Sequence, residues 1–362
     1  MATPDLDPIL RLIEDARDSG RFLEAAAALR TLRGLAPEDT GVQIALARAC
    51  FCAGLWNEGW DAYEVRFRLM PEAYPQVMRQ GAHGPEPVPP WRGGKVPPAL
   101  LVMGEQGLGD TIQFARYLPL LRERGARVHA VLDPRLHRLL APLCEGVDLR
   151  SSAAGDGVAA SAWLPLLGLP RALGLWPQQF RGRIPYLTAE PDRVARWRRR
   201  IGTEGYRVGI VWQGNPAAPV DPYRSAPLAA FAPLAGMQGV RLISLQKGPG
   251  EEQEAPFPLD RLGPELDNGP DWFLDTAAAI EALDLVVSVD TAVVHLAGAL
   301  GKPALMLAHG RHTDWRWLQG REDTVWYPTL RLVRCPGDGA DWRQAAARAA
   351  FLIRTGDLPA PA

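Results

Sequence analysis

The chain has 362 residues, of which 47% are hydrophobic and 22% are charged, and its formal net charge is −1. These are ordinary values for a globular protein, and the length allows two or three domains, each with its own core. A net charge so close to zero excludes a general electrostatic attraction to nucleic acid or to an anionic membrane surface.

The sequence also indicates the compartment in which the protein works. It contains no apolar run of about 18 residues, and its first residues, MATPDLDPIL, lack the basic and apolar regions of a secretory signal. The four cysteines are not spaced as a disulfide scaffold or as a zinc motif, so we expect reduced thiols. We therefore predict a cytoplasmic protein that neither inserts into a membrane nor binds nucleic acid.

The N-terminal residues 1–78 contain a repeat. The sequence GRFLEA at 20–25 recurs as GLWNEG at 54–59, and LAPE at 35–38 recurs as LMPE at 69–72; both offsets are 34 residues. This is the period of tetratricopeptide helix pairs, so we predict a tetratricopeptide-like helical segment, with an unrelated helical hairpin as the alternative. Fewer than three full repeats are short for an independent solenoid. We therefore expect the segment to lean on the next domain or to continue into a partner.

Residues 79–98 are rich in proline and glycine, and we interpret them as a linker. Beyond the linker, residues 99–200 form a first region in which short apolar runs alternate with a helical pattern. In this region the sequence predicts a helix over 110–124 and strands at 99–103, 127–132 and 160–167.

Residues 201–335 repeat this alternation, and residues 336–362 follow as a C-terminal helix and tail. Strands of this second region are predicted at 207–212, 240–245, 283–289 and 303–308. Helices are predicted near 228–235, 274–283 and 291–300. The stretch 190–202, which connects the two regions, has the pattern of a basic amphipathic helix with a solvated face.

This alternation of helices and strands indicates an α/β layer fold with parallel strands. Two such regions in series predict two α/β domains with a ligand cleft between them. Because open α/β sheets bind ligands at the carboxyl ends of their strands, the candidate site residues are those in loops that follow a strand.

The first such loop, GEQGLGD at 104–110, follows a predicted strand and opens a helix. Its glycines, Gly107 among them, let the backbone approach a ligand closely. Their spacing is neither that of a dinucleotide-binding loop nor that of a P-loop. Asp110 is either the N-cap of the helix or a general base aimed into the cleft, supported by Glu105 and Gln106.

Two loops of the second region contain polar residues suited to an anionic ligand. The loop after strand 207–212 contains Gln213, Asn215 and Arg224, and the loop after strand 240–245 contains Gln246 and Lys247. Arginine binds a phosphate with a planar fork and lysine binds it as a point charge. These residues are therefore predicted either to hold a phosphate or to be ordinary surface groups.

The stretch VSVDTAVVHLAGALGKP at 287–303 is predicted to pass from a buried strand into a helix. Thr291 and His295 are four residues apart and share a face of that helix, whose first turn is suited to an anion. Asp290 either caps the helix or accepts from a ribose hydroxyl. His295 is either a phosphate ligand or a core histidine that finds its partner inside the protein.

The last candidate stretch, HGRHTDWRWLQGREDTVWYP at 309–328, is rich in aromatic residues. Trp315 and Arg316 either stack on a sugar, base or acceptor or anchor the last helix. We find no metal-ligand constellation, nucleophile elbow or paired-cysteine motif in the chain.

Together these segments carry a resemblance to a known family. They are GEQGLGDTIQFARYLPLL, VGIVWQGNP, RSAPL, SLQKGPGEEQ, DTAAAIEALDLVVSVDTAVVHLAGALGKP and DWRWLQGREDTVWYPT. Residues 99–355 resemble bacterial glycosyltransferases of the GT-B fold, which has two Rossmann-like domains facing a cleft. The likeness is in particular to proteins that join tetratricopeptide repeats to a heptosyltransferase-like catalytic region.

The resemblance implies transfer of a sugar from a nucleotide sugar, without a metal or another cofactor, and with inversion at the sugar carbon. Asp110 holds the place of the aspartate that acts as base in heptosyltransferases, and Arg224 is the nearest match to a residue that contacts the donor phosphate. The segment that holds the donor in the family corresponds to Asp290, Thr291 and His295.

The sequence departs from the family pattern at one place. Heptosyltransferases usually show DTGxSH, whereas this chain has Ala292 and Val294 at the small and hydroxyl positions. One phosphate contact is thereby removed, so the donor need not be a nucleotide heptose.

The helical arm bears on the acceptor. In similar proteins such arms bind peptides or proteins, which implies a protein acceptor, with flagellin as one example. A heptosyltransferase of lipopolysaccharide assembly and a non-catalytic repeat scaffold are the alternatives.

Overall fold

The computed structural model describes residues 7–69, 78–81, 84–152, 159–180, 183–337 and 339–362. The chain divides into two compact units. The first contains Met1–Gln76 together with Thr313–Arg321, and the second contains Val77–His312 and Glu322–Ala362. The segment 313–321 thus belongs with the N-terminal helices, although the sequence analysis assigns it to the second α/β domain.

The first unit is helical. Its helices are α1 (Asp7–Asp18), α2 (Phe22–Leu35), α3 (Thr40–Cys52), α4 (Trp56–Tyr63) and α5 (Arg66–Leu69). Helices that follow one another from α1 to α4 pack against each other.

The sequence repeat of this unit is also a repeat of backbone geometry. The residues directly before α2 and α4 are Arg21 and Leu55, which both have a φ of −84° and have ψ values of 60° and 64°. One residue earlier, Gly20 and Gly54 have φ values of 71° and 74°, in the left-handed region that favours glycine. The predicted 34-residue period therefore appears as two helical hairpins, α1–α2 and α3–α4, whose connecting turns have the same backbone conformation.

The second unit begins with the region predicted as a linker. Its first strands form an antiparallel hairpin, β1 (Met78–Gly81) and β2 (Gly84–Pro87). The chain then pairs with a neighbouring strand: the Trp91 N–H donates to the Trp163 carbonyl at 2.7 Å, and the Trp163 N–H donates to the Pro89 carbonyl at 3.0 Å. Residues 89–91 therefore extend the edge of a sheet, and the role of residues 79–98 as a linker stays a prediction.

The first parallel sheet of this unit follows. Its strands are β3 (Ala99–Met103), β4 (Arg127–Val131), β5 (Asp148–Arg150) and β6 (Ala162–Pro165). Its helices are α6 (Leu108–Phe114), α7 (Leu118–Glu123), α8 (His137–Leu140) and α9 (Leu169–Leu173). The order of the strands is β5-β4-β3-β6 and every pair is parallel.

The second parallel sheet has six strands. They are β7 (Tyr206–Val211), β8 (Val240–Ser244), β9 (Asp260–Arg261), β10 (Leu285–Ser288), β11 (Ala304–Ala308) and β12 (Leu330–Arg334). The helices of this part are α10 (Pro191–Ile201), α11 (Ala232–Ala235), α12 (Leu274–Glu281), α13 (Ala292–Ala299) and α14 (Trp342–Thr355). The order of the strands is β12-β11-β10-β7-β8-β9, again with parallel pairs.

Both sheets are wound in the same way. In each, the chain adds strands on one side of the first strand and then crosses to the other side. The crossing lies between β3 and β6 in one sheet and between β7 and β10 in the other. Ligands of such sheets bind at the carboxyl ends of the strands where the order reverses. The predicted α/β fold with parallel strands is thereby confirmed.

Three strands of the two parallel sheets were not predicted from the sequence, and the absence of a signal for two of them has a clear physical reason. β5 and β9 have three and two residues, and each includes charged side chains. Runs this short show no apolar period, so only pairing with β4 and β8 defines them as strands. β12 does alternate leucine with arginine over its first three residues, a pattern that predicts a half-buried strand.

Candidate functional site

Most of the predicted site residues lie in loops that leave the two sheets where the strand order reverses. The loop after β3 contains Asp110, the loop after β7 leads to Arg224, and the loop after β10 contains Thr291. Their place follows from local sequence, because an apolar strand that ends in glycine or polar residues turns into a helix at the sheet edge.

Asp110 is the third residue of α6. Its Oδ2 accepts a hydrogen bond from the N–H of Gly107, the residue directly before the helix, at 2.8 Å. This contact is one half of a capping box, and it fixes the carboxylate at the positive end of the helix. Asp110 therefore takes part in capping from the third helical position, with Gly107 rather than Asp110 as the N-cap residue, and its role as a base stays a prediction.

The other two polar residues of the loop after β3 shape its backbone. Glu105 is 6% exposed and accepts from the N–H of Leu167, after β6, at 3.0 Å. Gln106 has a φ of 61°, a left-handed conformation that a residue with a side chain rarely adopts. Glu105 thus connects the turns after β3 and β6, and the strained residue places Gly107 at the start of α6.

The first turns of α6 and α13 are in direct contact. A Cβ atom on Gly109 would lie 2.9 Å from Cδ2 of His295 and 3.2 Å from the Cα of Ala292. Real Cβ atoms essentially never come within 3.0 Å of another heavy atom, so this approach requires glycine. The positive ends of two helices therefore meet, which favours an anionic ligand at this place.

The N-cap residue of α13 does not cap the helix with its side chain. Thr291 is its N-cap residue, but the Thr291 Oγ1 lies 3.1 Å from Oγ of Ser288 and makes no bond to the helix. Asp290, which is half-buried, precedes the N-cap. Thr291 occupies the N-cap position, so Asp290 is not the N-cap residue of α13. The contact of Asp290 with a ribose stays a prediction.

His295 combines the two interpretations that its sequence position allows. It is 5% exposed, and its Nδ1 lies 3.0 Å from the hydroxyl of Tyr327, as expected of a core histidine with a partner. Its Cδ2 edge faces Gly109 in the first turn of α6, as expected of a residue beside a ligand site.

Gln246 and Gln213 hold loops together. The Gln246 Oε1 accepts from the N–H groups of Trp212 and Gln213 at 3.1 and 3.0 Å, while its Nε2 donates to the carbonyls of Gln213 and Pro249 at 3.0 and 2.8 Å. The Gln213 Oε1 accepts from Nε2 of Gln253 at 2.9 Å. The Gln246 amide therefore connects the loops after β7 and β8, and its donor contact stays a prediction.

Asn215, Arg224 and Lys247 lie near the same sheet edge. Asn215 makes a local turn by accepting from the N–H of Ala217 at 3.0 Å. The Arg224 guanidinium packs on Gly214, where a Cβ atom would lie 2.7 Å from the Arg224 Nε. Lys247 is exposed directly after the strand end of β8. The two cations are thus available for the electrostatic role predicted for them.

The structure adds an aromatic group that the sequence analysis did not select. The Tyr223 ring is 4.6 Å from the His312 ring and 5.8 Å from the His309 ring, measured between centroids. Burial lowers the pKa of His309, and the nearby His312 lowers it further. The sequence does contain a signal for the two histidines, because HGRH at 309–312 directly follows the apolar strand β11.

Trp315 and Arg316 lie in the helical unit. The Trp315 ring stacks on Phe51 at 4.3 Å and meets Trp60 edge-on at 5.7 Å, and only 5% of Trp315 is exposed. Arg316, also 5% exposed, donates to the Oδ1 of Asp314 at 3.0 Å. Both side chains are thus buried in the helical unit, and their predicted contact with a sugar or acceptor stays a prediction.

Two further observations concern a bound metal ion and a membrane. Among the described residues, no three or more His, Cys, Asp or Glu side chains cluster as a metal site. The helices of the described ranges include none that is both long and apolar enough to cross a membrane. The expected independence from metal stays a prediction.

Comparison with known proteins gives one relative and several solved structures. No family profile matches the chain. Protein FlbA of Caulobacter vibrioides is 30% identical over 348 residues, which cover 88% of this chain and 56% of FlbA. The chain thus spans little more than half the length of this relative.

Three solved structures align with most of this chain at low sequence identity. A glycosyltransferase of family 9 from Veillonella parvula is 13% identical, with a TM-score of 0.48 over 72% of this chain and 99% of its own. TibC, an iron-containing glycosyltransferase of enterotoxigenic E. coli, is 15% identical, with a TM-score of 0.46 over 77% of this chain and 82% of its own. The lipopolysaccharide heptosyltransferase II of E. coli is 15% identical, with a TM-score of 0.41 over 71% and 99%.

Proposed function

We propose that this protein is a glycosyltransferase, which moves a sugar from a nucleotide-activated donor to an acceptor hydroxyl. One observation carries the proposal: the first turns of α6 and α13 touch through Gly109, at the point where both sheets reverse their strand order. The imidazole of His295 thereby faces Gly109, the residue directly before Asp110.

The donor lies with its phosphates at the start of α13. Thr291 and His295 are its neighbours there, and Arg224 and Lys247 supply positive charge from the same sheet edge. These groups stabilise the negative charge that develops on the nucleotide as it leaves, which is electrostatic catalysis without a metal.

Asp110 acts as the general base in this proposal. It takes the proton of the acceptor hydroxyl as that oxygen attacks the anomeric carbon, and the bond from this carbon to the donor phosphate breaks. The proton ends on Asp110 and the electron pair on the nucleotide. Attack from the side opposite the leaving group inverts the anomeric carbon, as the family resemblance implies.

The acceptor proposed is a protein, bound through the helical unit, with flagellin-type glycosylation as one form. The support is the pair of helical hairpins with a 34-residue period, because such repeats bind peptides and proteins. Transfer to a lipid acceptor in lipopolysaccharide assembly, and the absence of any transfer, are the other outcomes that an experiment must separate.

The experiment has two stages. Thermal unfolding against a panel of nucleoside diphosphates and nucleotide sugars identifies the donor, since a ligand that binds only the folded state raises the melting temperature. The labelled donor is then incubated with protein and lipid fractions. Label in protein supports the proposal, and label in lipid alone favours the lipopolysaccharide enzyme. A chain that binds no nucleotide is a scaffold, and the proposal fails.

A further inference from the structure

The α/β unit contains a buried arginine that the proposed mechanism does not use. Arg116, in the short turn that follows α6, is 3% exposed. Its Nε donates to the carbonyl of Gln113 at 2.8 Å, its Nη1 to the carbonyl of Trp326 at 3.1 Å, and its Nη2 to the hydroxyl of Tyr186 at 3.0 Å. These partners are two carbonyls and a phenol, none of which is an anion. Burying a positive charge without an anionic partner costs free energy.

Two tyrosine rings cover the guanidinium. The Arg116 Cζ lies 4.4 Å from the centroid of the Tyr186 ring and 4.6 Å from that of the Tyr327 ring, which are distances of cation–π contacts. Tyr327 also packs flat on α13: a Cβ atom on Gly298 would lie 2.4 Å from its Cδ1. The arginine beside α6 is thus connected through Tyr327 to α13 and to His295, whose Nδ1 is 3.0 Å from the Tyr327 hydroxyl.

The direction of the hydrogen bonds follows from the donors. Arginine can only donate, and the Tyr186 hydroxyl, which accepts from Arg116, donates in turn to the carbonyl of Ile112 at 3.0 Å. Burial is the largest influence on Tyr327 and raises the pKa of its hydroxyl well above the ordinary value, so this group keeps its hydrogen. The Tyr327 hydroxyl also interacts with Arg116 and with Tyr186. Because the Tyr186 oxygen already accepts from Arg116, the unprotonated imidazole nitrogen of His295 is the stronger acceptor for the Tyr327 hydrogen.

We infer that Tyr327, held by Arg116, is a positioning residue: it donates its hydroxyl hydrogen to Nδ1 of His295 and keeps this histidine in the neutral tautomer with hydrogen on Nε2. A neutral imidazole carries one hydrogen, and the partner of one nitrogen decides which nitrogen has it. Nε2 is bonded to Cδ2, the atom that faces Gly109. His295 therefore presents a donor toward the meeting point of α6 and α13.

This inference sharpens the proposed function and rests on it in one respect, the identity of the ligand as a nucleotide phosphate. An Nε2–H group donates to a phosphate oxygen, whereas an unprotonated Nε2 would repel it. The tautomer itself does not depend on which ligand binds, so it is tested without one.

The first test is nitrogen-15 NMR of the histidine imidazoles in the ligand-free full-length protein, at a pH above the ordinary range of histidine. The His295 signal is assigned by its loss in His295→Gln. We expect a protonated Nε2 and an unprotonated Nδ1 in the wild type, which needs no other variant. A protonated Nδ1 there would overturn the inference.

Two tyrosine variants then form a matched pair. Tyr327→Phe and Tyr186→Phe each remove one phenol oxygen from the surroundings of Arg116, but only the first removes the partner of His295. We expect Tyr327→Phe to shift His295 to a mixture of tautomers and Tyr186→Phe to leave its signals unchanged. Unchanged signals in Tyr327→Phe contradict the inference.

The second readout is the affinity for the nucleoside diphosphate that stabilises the wild type most, measured by calorimetry. We expect Tyr327→Phe to bind it about tenfold more weakly, the loss of one hydrogen bond to a charged group, and Tyr186→Phe to bind as the wild type does. Equal affinity in Tyr327→Phe, despite a changed tautomer, would reject the positioning role. If the wild type binds no nucleotide, the proposed function fails and NMR alone decides the tautomer.

Discussion

The two parallel sheets reverse their strand order in the same way but present different chemistry at that point. The loop after β3 in the first sheet carries two carboxylates, Glu105 and Asp110. The loops of the second sheet carry Arg224, Lys247 and His295. The strand order decides where a site forms, because its reversal leaves a crevice at the carboxyl ends of the strands. The charged side chains in the loops decide the chemistry on each side of that site.

The contrast also extends to backbone freedom. In the first sheet, the approach of the two helices depends on Gly109 and on the strained Gln106. In the second, Gln246 holds the loops after β7 and β8 with four hydrogen bonds to the backbone. One side of the site is thus shaped by close packing and the other by a buried amide. Substitutions on the two sides should therefore affect different measurements.

The largest effect is expected on the acidic side. Asp110→Asn keeps an acceptor for the N–H of Gly107, so α6 still begins correctly, but the general base is lost. Turnover should fall by about 10²–10⁴-fold while nucleotide affinity stays close to that of the wild type. Nucleotide release in the presence of acceptor and calorimetry measure the two quantities.

A matched control for this change is Asp39→Asn in the helical unit, where Asp39 caps α3 by accepting from the N–H of Val42 at 3.0 Å. It removes a carboxylate that also accepts from a backbone N–H at a helix start, here from the N-cap position, and it should leave turnover unchanged. Equal turnover of Asp110→Asn and the wild type would exclude Asp110 as the general base. The proposed difference in chemistry between the two sheets would then be wrong.

The next prediction tests whether Trp315 stabilises the helical unit or takes part in the site at the two sheets. Trp315→Ala opens the aromatic core around Phe51, so the helical unit should lose about 3–5 kcal/mol of unfolding free energy. Hydrogen exchange of the helical unit measures this loss. Nucleotide affinity should not change, since the ring lies among helical hairpins.

The control for Trp315 is Trp272→Ala, because Trp272 is 38% exposed and lies under the Arg135 guanidinium. This substitution should cost much less unfolding free energy. If Trp315→Ala instead lost nucleotide binding with its helical unit intact, the sequence-based assignment to the sugar site would return.

A smaller effect is expected on the basic side. Arg224→Ala should weaken nucleotide binding by about tenfold and Lys247→Ala by less, because the arginine is more buried and charge-assisted bonds weaken in water. Both losses should shrink as salt is added. Lys95→Ala, an exposed lysine outside these loops, is the control. Lower turnover at unchanged affinity would contradict the assignment of these cations to the donor.

The smallest effect concerns pH and again belongs to the second sheet. The pKa of His309 is lowered in the folded protein, so between the folded and unfolded pKa values the folded state binds fewer protons. Its contribution therefore destabilises the fold as pH falls through the ordinary histidine range and vanishes above that range. Unfolding free energies at acidic and neutral pH should differ less in His309→Gln than in the wild type. An identical difference would rule out His309 as the group that titrates.

Much of the fold could be predicted because it depends on neighbours in sequence. The repeat of glycines 34 residues apart predicts the helical hairpins, and both glycines take the left-handed conformation of the connecting turn. Apolar runs followed by polar loops predict the strands that carry the site. The loops with Asp110 and His295 are found in this way, since a strand end and a helix start are local signals.

Other features depend on residues far apart in the chain and could not be predicted. The packing of Trp315 on Phe51 joins segments that no local pattern connects. The pairing of Trp91 with Trp163 turns a proline-rich stretch into a sheet edge. The partners of Gln246 are Trp212 and Gln213, which follow the neighbouring strand β7, and Pro249 of its own loop, and only the fold brings the two loops together.

The sequence by itself therefore determined the elements, their alternation and the loops in which chemistry is concentrated, because periodicity and turn residues act over a few neighbours. Only the tertiary structure decided which polar side chains are used inside the protein. Asp290 and Thr291 share one loop, yet the backbone gives Thr291 the cap position. His295 faces α6 and Tyr327 at once because packing brings distant segments together, and that packing gives the site its geometry.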